Sequence, residues 1–500
     1  VTQELTRRAI LAAMLGGVAL PALAEAPSQT VRPRPRPVAG AGNGTGAPPP
    51  ADAAQRLVEA AGLGGQTGFV VADAATGAVL EMFQPDAPLP PASVAKTITS
   101  LYALNHLGPD HRFVTRVLAT GPVVQGRVQG DLILAGGGDP TLDTDMLGDM
   151  AAALRARGVT GITGRYLVWG GALPSVLRIA GDQPEQVGYN PGLSGLILNF
   201  GRVYFEWKRA GQGWAISMDA RGERFAPRIA QTRMLLSDRQ SPLFTYHLAE
   251  ATEDWTVAQA ALGQDGSRWL PVRRAAPYVA EAFRALAAAQ GTTLPAAQPL
   301  VSLPEGADEL IRRESEPLQV VLRGMLRWST NITAEAVGLA SSGAGTLYGS
   351  GRAMTDWARR HLGHPGDFVD HSGLGAQSRV TAGGMVRALI AGRATPGGRH
   401  LPEILREIGM RDDQGNAVKG DPVRVLAKTG TLNFTSGLAG FIRPPKGREL
   451  AFAIFSADPD RRAALPMEDR EEPPGGKAWL KRARRLQGQL VRRWADSYCA

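Results

Sequence analysis

Cysteine is all but absent from this 500-residue chain: Cys499, beside the C-terminus, is the only one. That excludes an intramolecular disulfide and the usual cysteine-based zinc and redox motifs. Lysine is also scarce, seven residues against 48 arginines. The seven histidines make no metal pattern; His361 and His364 stand at helical i,i+3 spacing, but no third ligand accompanies them. No G-x-S-x-G elbow occurs, which argues against the hydrolases built on that strained turn. Gly136-Gly137-Gly138 is followed by Asp139-Pro140-Thr141 and no G-K-[ST], so it reads as a tight turn after a strand at 132–135, not a phosphate cradle. The net charge of +9 is spread along the chain without a dense Lys/Arg block or a nucleic-acid module, so no nucleic-acid partner is expected. Beyond the N-terminal segment nothing is apolar for long enough to span a bilayer.

What is present begins with an export pattern. Arg7-Arg8 precede an apolar run from Ile10 to Leu20 and an Ala22-Leu23-Ala24 cleavage pattern, so residues 1–24 read as a signal peptide of the Sec or twin-arginine type. The expected compartment is therefore outside the cytoplasm, the periplasm. Residues 25–50 are Pro, Gly and Ala with an RPRPRP run, which cannot pack and reads as a tether. Length and a 44% hydrophobic share predict two or three domains with sizeable cores.

From Ala51 the text is helical, then two strand-like runs at 68–72 and 78–83 flank Asp73-Ala74-Ala75-Thr76-Gly77, a hairpin with turn residues in place. Ser93 follows Pro88-Leu89-Pro90-Pro91 and opens a helix over 94–104. Residues 107–310 are mostly short strands with Gly/Pro punctuation and several tryptophans, and read as an inserted region. Helical text returns over 318–328, 333–340 and 349–362, and a hairpin spans 437–456. The last segment spaces Trp479, Ala483, Leu486, Leu490 and Trp494 on one helical face with arginines between. Such a face suits either a membrane or wall surface or, as the favoured reading, packing on the sheet.

A serine hydroxyl needs an adjacent base to act as a nucleophile. Ser93-Val94-Ala95-Lys96 puts a hydroxyl and an amine three residues apart, hence on one helical face. Arginine never gives up its proton in a protein, whereas a desolvated lysine does, so one of the rare lysines stands where a proton acceptor is needed. Ser329-Thr330-Asn331 is the only S-x-N, and Lys428-Thr429-Gly430 the only K-T-G. Lys428 is expected to end a strand and, with burial, to lower the pKa of Lys96. Ser329 is placed to relay a proton, and Asn331 to hold a substrate amide and the Lys96 amine. Thr429 and Thr431 offer hydroxyls to a carboxylate. The N–H groups of Ser93 and Thr431 are candidates for an oxyanion hole, worth about 3 kcal/mol per donor.

These three motifs, in this order, resemble the active-site-serine penicillin-recognising enzymes. Further runs sharpen the likeness: Pro91-Ala92-Ser93-Val94-Ala95-Lys96, the stretch 130–140, Tyr189-Asn190 with 196–199, the stretch 325–331, and Asp370-His371-Ser372-Gly373-Leu374. Over about 51–456 the chain is similar to the D-alanyl-D-alanine carboxypeptidase/endopeptidase family of class C low-molecular-mass penicillin-binding proteins, peptidase family S13. The resemblance implies an α+β fold of the β-lactamase/transpeptidase-like type, a five-stranded antiparallel sheet flanked by helices, with a large insert. It assigns 51–106 and 311–500 to the catalytic domain and 107–310 to the inserted region. It implies serine-type hydrolysis of peptidoglycan stem peptides through an acyl-enzyme on Ser93, covalent capture of β-lactams, and no cofactor or metal. Ser93, Lys96 and Ser329 would be catalytic; Asn331, Lys428, Thr429, Gly430 and Thr431 would bind substrate. Thr330 and His371 depart from the family's usual text. The competing readings are a non-catalytic peptidoglycan-binding relative and a class A β-lactamase. The latter's E-x-x-x-N stretch is missing between Asn331 and Lys428.

Overall fold

Phe69 and Val71 point to one side of strand β1 (Gln66–Asp73) and Val70 and Ala72 to the other, yet all four are buried. A strand buried on both faces must sit inside a sheet covered on both sides. The computed structural model, which describes residues 51–499 apart from 365 and 413, shows this; the expected signal peptide and tether lie outside the described residues. β1 pairs with β2 (Val79–Phe83) and with β6 (Leu450–Ala457), and the sheet continues through β5 (Thr435–Arg443), β4 (Arg424–Leu432) and β3 (Arg406–Ile408). Every neighbouring pair is antiparallel. The sheet has six strands instead of five, because three residues of β3 pair with Val425–Ala427 of β4.

On one face lie α2 (Ala95–His106), α3 (Leu318–Trp328), α5 (Leu347–Leu362) and α6 (Ala382–Arg393), whose Ile98, Leu322, Met354 and Met385 pack with Val70, Ala451 and Ala453. The other face is closed by α1 (Ala51–Ala61) and α7 (Gly476–Tyr498). Trp479, Leu486, Leu490 and Trp494 of α7 are buried against Phe69, Phe452 and Ile454. Each such side chain contributes roughly 1.5–3 kcal/mol of burial. The apolar stripe of α7 is therefore core and is not presented to a membrane. Among the described residues no helix is long and apolar enough to cross a bilayer.

A second core is built wholly from residues between Val117 and Ile311. Its five-stranded sheet runs in the order Ala297–Pro299, Tyr166–Trp169, Leu132–Gly136, Val114–Ala119, Asp308–Glu314, with three smaller three-stranded sheets beside it. Two helices that the strand-rich expectation leaves out, Thr144–Ala156 and Ala275–Ala289, pack on this core. The first is capped by Asp143, whose carboxylate accepts the N–H of Met146 at 2.8 Å. The strand expected over 132–135 runs on to Gly136, where a Cβ would lie 2.3 Å from the Gly195 carbonyl oxygen, and the chain leaves it through Gly138 at φ +88°. Leu173, Leu193 and Ile197 from this region pack on Ile332, Ala336 and Leu339 of α4 (Asn331–Ser342). That contact places the inserted residues against the helix that begins with the S-x-N motif.

Candidate active site

After Pro91 the chain makes one 3₁₀ turn, Ala92–Val94, and runs into α2. Ala92 holds φ +46°, a left-handed conformation that a non-glycine residue adopts at a cost of about 1–2 kcal/mol. The turn leaves Ser93 at the helix entrance, part-exposed, with Lys96 one turn on and fully buried. Lys96 Nζ lies 2.9 Å from Ser93 Oγ, 2.8 Å from Asn331 Oδ1 and 2.8 Å from the Ser372 carbonyl oxygen.

These partners decide which way the Ser93–Lys96 proton points. Asn331 Oδ1 and the Ser372 carbonyl only accept, so a neutral amine gives its two N–H bonds to them. Its lone pair is then left facing the Ser93 hydroxyl. Burial makes the neutral form accessible, lowering the Lys96 pKa from 10.5 to about 7, against the opposing pull of the Glu335 and Asp370 carboxylates. Burial, and not the expected charge of Lys428, is the leading cause. Lys428 is itself held well below its ordinary value, first by burial and then by the Lys96 charge.

The Ser372 carbonyl is aimed by two buried carboxylates beneath it. Glu335 accepts the N–H groups of His371 (3.1 Å) and Ser372 (2.9 Å), and Asp370 accepts those of Gly373 (2.7 Å) and Gly375 (2.6 Å). Burial and the adjacent Asp370 push Glu335 up to about 8, and burial raises Asp370 as well. His371 is no proton donor to the site. Its ring is fully buried, 2.6 Å from Ser350 Oγ, and burial pulls its pKa down to about 3. His364 is likewise buried, beyond the end of α5 at Leu362, so it shares no helical face with the exposed His361.

Ser329 caps α3 at φ +60°, the left-handed conformation that lets the chain turn at once into α4. Its Oγ accepts from Lys428 Nζ at 3.0 Å, and the same amine donates to the Thr429 carbonyl at 2.7 Å. Lys428 does not end a strand as expected: β4 runs four residues further, to Leu432. The continuation keeps Thr429 and Thr431 exposed on one face, two residues apart. Gly430 lies between them, and a Cβ there would come 2.7 Å from the Pro91 carbonyl oxygen. The strand can graze the serine turn only because this position is glycine.

Ser93, Lys96 and Asn331 thus form one hydrogen-bonded group and Ser329 and Lys428 another, with Gly430 pressed on the serine turn and Thr429 and Thr431 flanking it on the same strand. Glu335 and the carbonyls of Ser372 and Tyr189 were not singled out for a role. Glu335 carries a faint signal, four residues after Asn331 on the same helix; the backbone acceptors carry none. A separate cavity of about 1040 Å³, lined by the inserted region together with Leu339 of α4 and Gly343, Ala344 and Gly345 after it, touches none of the motif residues. Its one carboxylate, Glu281, is occupied by the N–H groups of Ala230 and Gln231.

Comparison with known proteins places this arrangement. The sequence model of the D-Ala-D-Ala carboxypeptidase 3 (S13) family matches residues 51–471. The D-alanyl-D-alanine carboxypeptidase of an Actinomadura species is 29% identical over 445 residues, spanning 81% of this chain and 80% of that protein. Carboxypeptidase DacB of Mycolicibacterium smegmatis is 28% identical over 429 residues, spanning 79% of this chain and 77% of that protein. Among solved structures, penicillin binding protein 4 (dacB) from Haemophilus influenzae shares the fold, with a TM-score of 0.70 at 19% identity over 88% of this chain and 99% of that one.

Proposed function

Because this chain belongs to the D-Ala-D-Ala carboxypeptidase 3 (S13) family, we propose that it hydrolyses peptidoglycan stem peptides ending in D-Ala-D-Ala through an acyl-enzyme on Ser93. The observation that carries the reading is Lys96 Nζ, buried and held by two acceptor-only carbonyls so that its lone pair meets the Ser93 hydroxyl. Ser93 Oγ attacks the carbonyl of the penultimate D-Ala while its proton passes to Lys96. The backbone N–H groups of Ser93 and Thr431 stabilise the oxyanion. Lys96 passes that proton through the hydroxyl of Ser329, which is bonded to Lys428, to the departing D-Ala amine, and the neutral Lys96 then acts again as base while water hydrolyses the ester. The terminal carboxylate rests on Lys428 and the hydroxyls of Thr429 and Thr431, beside Gly430, and the free N–H of the Asn331 amide takes a substrate carbonyl.

In this reading residues 51–106 and 311–500 form the catalytic domain and 107–310 the inserted region, with strand Asp308–Glu314 of the inserted sheet crossing the boundary. The signal peptide at 1–24 delivers the enzyme to the periplasm, where it also opens cross-links as an endopeptidase and is captured by β-lactams. A β-lactamase using a carboxylate to activate water finds little support. The carboxylates nearest Lys96, Glu335 and Asp370, are fully buried with their oxygens engaged by backbone N–H groups.

The test is labelling of the intact protein by a fluorescent penicillin, paired with D-Ala release from a pentapeptide. Both are expected. Absence of labelling overturns the reading, and labelling without release favours a non-catalytic wall-binding protein. Lys428→Ala should raise KM for peptides with a free C-terminal carboxylate by about 10- to 100-fold, the loss of a charge-assisted hydrogen bond. Unchanged steady-state kinetics would end the assignment of that carboxylate to Lys428.

A further inference from the structure

Tyr189 and Asn190, noted in the sequence, have no part in the chemistry above, yet Asn331 reaches them. While Asn331 Oδ1 accepts from Lys96, its Nδ2 donates to the Tyr189 carbonyl oxygen at 2.9 Å. A carbonyl cannot donate, so only the amide's NH₂ end fits against residue 189. The Tyr189 carbonyl therefore dictates that the acceptor end of Asn331 faces Lys96.

That carbonyl is held firmly. It shares one planar peptide unit with the N–H of Asn190, which donates to the Val187 carbonyl at 3.1 Å, and fixing one end of the plane fixes the other. The Asn190 side chain is fully buried and staples the segment. Its Oδ1 accepts the N–H groups of Ile179 (3.0 Å) and Ala180 (2.9 Å), and its Nδ2 donates to the Ala180 carbonyl at 2.8 Å. The Asn190 carbonyl in turn accepts from the guanidinium of Arg273, a side chain only 2% exposed. The other guanidinium nitrogen reaches the Glu185 carbonyl at 2.7 Å and its carboxylate at 3.0 Å. One backbone segment, 179–190, is thus pinned from within by Asn190 and from behind by Arg273.

We propose that Asn190 and Arg273 are positioning residues for acylation: they hold the Tyr189 carbonyl that orients the Asn331 amide, and through it the Lys96 amine. This gives residues of the 107–310 region a direct part in tuning the base, and it rests on the reading of Ser93 and Lys96 given above. If the pin is loosened, the Asn331 amide can turn its NH₂ toward Lys96. An N–H donor there disfavours the ammonium, so the Lys96 pKa falls while the amine loses its alignment.

A double-mutant cycle on the rate of penicillin acylation tests this. Asn190→Ala should slow acylation about tenfold in the wild-type background but less than about twofold in an Asn331→Ala background, since its effect travels through Asn331. The acid limb of the wild-type-background variant should also move to lower pH, which a reduced folded fraction would not do. Should Asn190→Ala fail to fold, Arg273→Lys carries the same cycle: it keeps the buried charge but loses the fork that spans Asn190 and Glu185. Equal slowing in the two backgrounds, or an unmoved acid limb, would overturn the coupling while leaving the peptidase reading intact. A wild type that never labels would sink that reading first.

Discussion

Lys96→Arg lowers the rate of Ser93 acylation by a β-lactam by at least about 10³-fold, the upper range of what a positioned general base supplies. The substitution fixes a permanent cation where the active enzyme holds a neutral amine, and so removes the proton acceptor. A guanidinium has no lone pair to offer at any pH compatible with a folded protein. In the wild type the sign of the pH dependence follows from the lowered pKa of about 7. Below that value Lys96 is an ammonium with all three N–H bonds directed outward, and acylation is lost. Above it the lone pair is free, so the rate rises through about 7 and then levels. Stopped-flow acylation from pH 5 to 9, with a thermal melt to show that the variant is folded, checks both. A folded Lys96→Arg protein acylated at the wild-type rate near neutral pH would remove Lys96 as the base.

Ser93→Ala gives no covalent adduct at all: the intact mass after hours with excess penicillin equals that of the untreated variant. No other hydroxyl among the described residues has a bond to the Lys96 amine, so nothing near it can substitute. Under the proposed assignment the carboxylate end of the ligand would still find Lys428, Thr429 and Thr431, so reversible binding should survive and is measurable by calorimetry. An adduct on the alanine variant, mapped to any other residue, would refute the assignment of the nucleophile.

How much of this was legible in the sequence depended on whether a contact is local or carried by a side chain. Ser93 and Lys96 sit one helical turn apart, so their meeting follows from helix geometry alone. The rarity of lysine marked Lys96 and Lys428, two groups whose chemistry arginine cannot perform. The strand of β1 was readable as a short apolar run before turn residues, and the stripe of α7 as helical spacing. The acceptors that complete the site were not, because Ser372 and Tyr189 contribute backbone carbonyls, which any residue possesses. Their placement comes from turns stitched by Glu335, Asp370 and Asn190, each more than 90 residues from Ser93 in the chain. The helices at 144–156 and 275–289 lie in alanine-rich text, where few large apolar side chains mark the helical spacing. Lys428 was expected to end a strand, whereas β4 continues past it and Gly430 marks a close approach to the serine turn.

That close approach has a twin. A Cβ on Gly373 would fall 1.9 Å from the Ala92 carbonyl oxygen, so two bare backbones, at 373 and 430, press on the turn that carries the nucleophile. The turn has no room to swing, and the hydroxyl is aligned before any ligand arrives. Under the proposed mechanism a stiff bicyclic lactam, which cannot bend to suit the protein, would meet a serine already set for attack, and the immobility that favours cleavage of a peptide would equally favour a suicide inhibitor.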